Sequence, residues 1–209
     1  MLLRGADVGK VVDSRNLFKS AKYFLAAIFI SFLLVCLFGC ESVRAVRTAV
    51  VTDPQYFAKE TNVTFDPYDN CYRIVGPLLI QKGDSRTQVW LKGSFDKFGA
   101  NEILWMHVFF RNKTWFFLDS AKDIGGTQLT VNQLRRQVEH GDIVEEVAVN
   151  FSRDFLEARK MPGLDIRVSG SKGYSIIVKV PSAYVIGFLE RYNSAVEEVR
   201  AGKDPLKKE

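Results

Sequence analysis

An uncharged run over residues 23–39 (YFLAAIFISFLLVCLFG) constrains this chain more than any other feature. Ahead of it lie Arg4, Lys10, Arg15, Lys19 and Lys22 against Asp7 and Asp13. A basic segment leading into an apolar one is the order of a targeting sequence. The run of about 17 residues falls between the roughly 7–15 of a cleaved leader and the roughly 20 that span hydrocarbon. Hydropathy alone therefore leaves both a removed signal and a retained single-pass anchor open.

The end of the run narrows the choice, because it reads Leu37-Phe38-Gly39-Cys40 followed by Glu41 and Ser42. This resembles the lipobox of bacterial lipoproteins, which has an aliphatic residue three before an invariant Cys and a small residue directly before it. The resemblance implies cleavage between Gly39 and Cys40, diacylglycerol on the Cys40 thiol and a further acyl chain on the new amino terminus. It covers about twenty residues and implies nothing about the domain beyond. Two features depart from the pattern: the segment before the apolar run is long, and Phe38 is bulkier than usual. Two or three acyl chains hold a protein firmly, since each buried methylene contributes about 0.8 kcal/mol. Family sorting rules keep lipoproteins with Asp after the Cys in the inner membrane, so Glu41 leans towards the outer one. The alternative is a single-pass signal anchor that happens to end in Gly-Cys.

Removing residues 1–39 changes the charge reading. The whole chain has 29 basic and 24 acidic side chains, and the leader takes 5 and 2 of them, leaving 24 and 22. A mature net charge of +2 gives little support for nucleic acid as a partner. Of three cysteines, Cys36 leaves with the leader and Cys40 becomes a thioether, so Cys71 is a free thiol. Burial is the ordinary fate of such a residue.

Residues 40–70 are polar, with Pro54, Pro67 and the turn-forming DPYDN, and read as a lipidated tether. From residue 71 the periodicity shifts towards two. Strands are expected over 72–80, bent at Gly76-Pro77, and over 87–95. Residues 103–110 (ILWMHVFF) and 114–118 (TWFFL) read as a hairpin, the first apolar on both faces and so central. Residues 119–127 read as a loop. Thr130 and Gln133 offer a capping box flanked by Leu129 and Leu134, so a short helix is expected to about Glu139. A strand over 144–151, a helix over 153–160 capped by Ser152, and a hairpin of 164–168 with 174–180 follow. Pro181 then opens a helix with Tyr184, Phe188, Tyr192 and Val196 on one stripe. Residues 201–209 are a charged tail. The expected fold is mainly β, or α+β: an antiparallel, two-layer, sandwich-like domain over 71–200 with short helices and a C-terminal helix, preceded by a signal helix.

No residue set forms a catalytic signature. There is no G-x-S-x-G elbow and no phosphate-cradling G-x-x-x-x-G-K-[ST], and two histidines with one free thiol are too few for zinc. His107 sits mid-strand and reads as a hydrogen-bonded, half-buried side chain, while His140 lies in a turn. Asp119 and Asp123, beside Gly125-Gly126, form a weak oxygen-rich candidate for a cation. The aromatic band including Trp90, Trp105 and Trp115 either fills the core or lines an apolar groove. No cofactor is implied. The sequence points to a non-catalytic envelope protein that binds another envelope component, with a periplasmic carrier of an apolar ligand as the alternative.

Overall fold

Alternation at period two decides the architecture. The computed structural model describes residues 52–81 and 86–206, so the signal helix, Gly39 and Cys40 lie outside the described residues. In chain order the elements are helix α1 (Pro54–Glu60), strands β1 (Asn62–Asp66), β2 (Cys71–Val75), β3 (Leu79–Ile80), β4 (Thr87–Asp96), β5 (Ile103–Asn112), β6 (Leu118–Asp123), β7 (Gln128–Leu129), β8 (Val131–Glu139) and β9 (Asp142–Phe151), helix α2 (Arg153–Ala158), strands β10 (Leu164–Gly170) and β11 (Ser175–Val180), and helix α3 (Ser182–Arg200). A larger antiparallel sheet runs β1-β2-β4-β5-β9-β8, with β3 beside β4, and a smaller one runs β11-β10-β6-β7. The expected antiparallel β-rich domain with a terminal helix is what the chain forms.

On β4, Thr87, Val89, Leu91, Gly93 and Phe95 are buried while the residues between them are half-buried. On β5, Leu104, Met106, Val108 and Phe110 do the same. These side chains meet those of the smaller sheet, such as Ile166, Val168 and Val178, in one core. The α3 stripe of Tyr184, Phe188, Tyr192 and Val196 is entirely buried against it. The Tyr184 hydroxyl accepts from the Leu91 N–H at 3.2 Å and donates to the Pro77 carbonyl at 2.6 Å, which satisfies a polar group placed in an apolar setting. Gly93 makes room for the helix: a Cβ there would lie 2.5 Å from the Tyr192 ring.

Four expectations fail for identifiable reasons. The tether does not extend to residue 70, because Asp53 caps α1, Phe57 is 2% exposed against the Tyr184 ring, and β1 pairs with β2. The 103–110/114–118 hairpin does not form; β5 lies between β4 and β9, and the chain crosses to the smaller sheet, where β6 pairs with β10. That crossing turns part of the expected 119–127 loop into β6. Residues 131–139 are strand β8, not helix, and a register shift between Gln133 and Arg135 places a bulge at Leu134. The bulge inserts one extra residue, so apolar residues at helical spacing still fit a strand, and Leu134 is left 50% exposed. His140 and Gly141 both have positive φ, the two-residue turn that matches strand twist and closes β8 onto β9.

Candidate functional site

The face of the larger sheet turned away from the core gathers residues from four strands. Register sets Trp90 opposite His107, and His107 opposite Ala148; one step along, Lys92 lies opposite Trp105, and Trp105 opposite Asn150. Trp90, Lys92, Trp105, His107 and Phe109 are all half-buried. Period-two alternation puts them on this face because Leu91, Met106 and Val108 occupy the other.

A chain of polar contacts runs across it. Lys92 Nζ lies 2.7 Å from His107 Nδ1, and His107 Nε2 lies 2.9 Å from Glu146 Oε2. A carboxylate only accepts, so Nε2 carries the ring proton and Nδ1 accepts from the ammonium. Glu146 Oε1 accepts from Arg135 Nη1 at 3.2 Å, Arg135 also pairs with Glu139, and Glu139 accepts from Arg111 at 3.3 Å. Lys92 lies over the Trp90 ring at 5.7 Å, and Arg111 over Phe109 at the same distance. The His107 and Glu146 side chains are only 14% and 15% exposed, so this pair is screened from water more than a surface ion pair, while Arg135 and Arg111 at its end are 45% and 40% exposed.

Electrostatics follow the burial. Desolvation, with the Lys92 charge beside it, pulls His107 below its ordinary value despite Glu146. Burial likewise lowers Lys92, opposed by Glu146. The folded ring therefore binds a proton less readily than the unfolded one, and this contribution to stability is present above about pH 6.5 and is lost as pH falls towards the folded value. An NMR titration should place the His107 midpoint below the ordinary imidazole value of about 6.5, and His107→Gln should flatten the pH dependence of stability over this interval. A His107 midpoint at or above about 6.5 would contradict the geometry.

Chemically, the arrangement presents a neutral imidazole and an ammonium that uses one of its three donors on His107, set between two indole rings. It suits recognition of a partner with acceptor and apolar surface.

The other sequence-derived positions are placed elsewhere. Trp115 stands beside Phe117, 5.7 Å between ring centroids, in the segment crossing between sheets rather than on β4 or β5 with Trp90 and Trp105. Asp119 and Asp123 do not converge on a cation: Asp119 is exposed, whereas the Asp123 carboxylate is buried, pairs with Arg159 and accepts from the Thr127 N–H at 2.6 Å. Burial pushes Asp123 up, but these two partners outweigh it and hold it below the usual range. Cys71 is half-buried on β2, opposite Asp96 of β4, and is a free cysteine. His140 is exposed in the β8–β9 turn. Sequence reasoning placed His107 with Trp105 and Phe109 but missed Lys92, Glu146 and Arg135. Strand alternation puts Lys92 on the Trp90 face, yet only the sheet order shows that β9 and β8 supply the rest.

No protein-family model, curated protein or solved structure matches this chain. Its function therefore has to be argued from the site.

Proposed function

We propose that this chain is a lipid-anchored protein of the bacterial envelope, held by acylated Cys40 and facing the periplasm, which binds another envelope protein and performs no chemistry of its own. The observation that carries the binding role is the pair Trp90 and Trp105, half-exposed and flanking Lys92–His107–Glu146 on the outer face of the larger sheet. A solvated sheet face is ordinarily polar, whereas interfaces concentrate aromatic anchors within a charged rim. Trp115 makes its ring contact with Phe117 on a different segment, which favours a partner's surface over an enclosed apolar ligand at Trp90 and Trp105. The lipobox supports the anchor and the outer-membrane lean.

The test is crosslinking and affinity purification of the tagged full chain from its host's envelope, beside Trp90→Ala/Trp105→Ala. Hot-spot aromatics each contribute about 2 kcal/mol or more, so the double variant should lose a specific partner by a factor of several hundred. Unchanged recovery in a folded variant, or no partner for the wild type, would overturn the binding role. Intact mass of the same material decides the anchor: a chain beginning at Cys40 with acyl chains supports it, and an unmodified chain retaining residues 23–39 means a single-pass protein.

A further inference from the structure

The outer face of the smaller sheet carries a second, differently composed surface. In register, Lys122 of β6 lies opposite Arg167 of β10, and Arg167 lies opposite Ile177 of β11. In the next row Asp165 lies opposite Lys179, 3.5 Å from its ammonium. The Ile124 N–H donates to the Asp165 carbonyl, which seats Ile124 beside this row. Together these side chains line an open depression of about 440 Å³. Ile124 is 78% and Ile177 51% exposed. Among the described residues neither Lys122 nor Arg167 is ion-paired, and Asp123, at the rim, is already matched by Arg159. Asp165 matches Lys179, so Lys122 and Arg167 leave a surplus of positive charge, interleaved with protruding aliphatic side chains.

We propose that this face lies on an anionic bilayer, with lipid phosphates against Lys122, Arg167 and Lys179, and Ile124 and Ile177 entering the headgroup boundary. Cations beside exposed apolar side chains are the composition that adsorbs at such an interface. The chain's reach argues for the same occupant, resting here on the proposed anchor at Cys40. Twelve residues, 41–52, separate Cys40 from the cap of α1, so even fully extended they hold the domain within about 40 Å of the membrane. The Pro54 carbonyl of α1 packs at Gly187, five residues into α3, and α3 begins directly after the strand that carries Lys179. Gln81 further ties the segment after β3 to the Lys179 backbone, donating to its carbonyl at 3.1 Å and accepting from its N–H at 2.9 Å.

The experiment is hydroxyl-radical footprinting of the full chain, purified from its host's membranes and reconstituted in vesicles of phosphatidylcholine with or without 30% phosphatidylglycerol. Oxidation of Ile124 and Ile177 should slow several-fold in the anionic vesicles, while Trp90 and Trp105 on the other sheet are unchanged. The protection should vanish in 1 M salt, where the screening length is about 3 Å, and in the exposed-residue variant Lys122→Ala/Arg167→Ala/Lys179→Ala. Equal oxidation of the two isoleucines in both lipid mixtures would overturn the proposal. The mass of the same sample separates the two readings. Acylated Cys40 without protection sinks this surface and leaves the anchor, and protection without acylation sinks the anchor and leaves this surface.

Discussion

Replacing Glu145 with alanine is expected to cost the domain about 3–5 kcal/mol, the largest single-residue effect in the molecule outside the aromatic core. Glu145 lies on the inner face of β9 and is fully buried. Its Oε1 accepts from the N–H groups of Phe116 at 2.7 Å and Phe117 at 3.1 Å, and Oε2 accepts from Leu118 at 3.0 Å. Arg136 of β8 stands 3.4 Å from the same carboxylate. One side chain thus satisfies the backbone of the segment by which the chain leaves the larger sheet and enters β6 of the smaller. Phe117 is held there at φ +56, a conformation that an L residue with a bulky side chain adopts only when its surroundings impose it. Alanine would leave three backbone donors without their acceptor and Arg136 without its ion pair, around a position that is itself fully buried. Glu145→Gln should fall between wild type and alanine: one amide oxygen can serve Phe116 and Phe117, but the amide nitrogen then faces the Leu118 N–H, donor against donor. Urea unfolding measures both variants. Midpoints within experimental error of wild type would show that the crossing segment finds other partners.

The second large effect is expected at Gly187, in the second turn of α3. In an ordinary helix interior Gly→Ala stabilises by up to about 1 kcal/mol, because alanine is the better helix former. Here a Cβ would lie 2.2 Å from the Pro54 carbonyl oxygen, 2.7 Å from the Phe57 Cβ and 2.8 Å from the Ala58 N–H nitrogen. The first and last of these contacts are backbone, so no rotamer change relieves them and α1 itself must move. Overpacking of this kind costs about 1–3 kcal/mol, enough to reverse the sign set by propensity. Gly187→Ala should lower the unfolding midpoint and, by lifting Phe57 from the Tyr184 ring, open the chain around α1 to proteolysis. A stabilised variant would mean that α1 is not seated where Phe57 and Tyr184 place it.

Much of the architecture was legible in the residues because the relevant forces are local. The apolar stripe of α3, the Ser152 cap, which accepts from the Phe155 N–H, and the β10–β11 hairpin all follow from spacing and turn chemistry within a few residues. β5 is central in its sheet, between β4 and β9, but the cover expected on both of its faces is complete only on the inner one, since Trp105, His107 and Phe109 stay half-exposed. The failures cluster where a long-range contact outweighs a local signal. Thr130 and Gln133 form a sound capping box, but a helix there would leave the far side of β9 unpaired, and the sheet wins through eight paired positions. Residues 54–66 look like a linker because their apolar content is low; Phe57 and Val63, with Tyr56 packed against them, are what bring the segment into the core.

The candidate site divides in the same way. Alternation alone puts Trp105, His107 and Phe109 on one face, and the acidic pair Glu145-Glu146 must send one carboxylate inward and one outward. The sequence by itself determined the period-two strands and the terminal helix, and it carries both the resemblance of Leu37–Cys40 to a lipobox and the lack of a recognisable catalytic motif, because each is written in neighbours along the chain. Only the tertiary structure decided which of the two glutamates holds the crossing segment, that Lys92 and Glu146 reach His107 from opposite sides, and that Lys122, Arg167 and Lys179 share a surface. Those relations depend on sheet order and register, which are set by burying both sheets and α3 around one core.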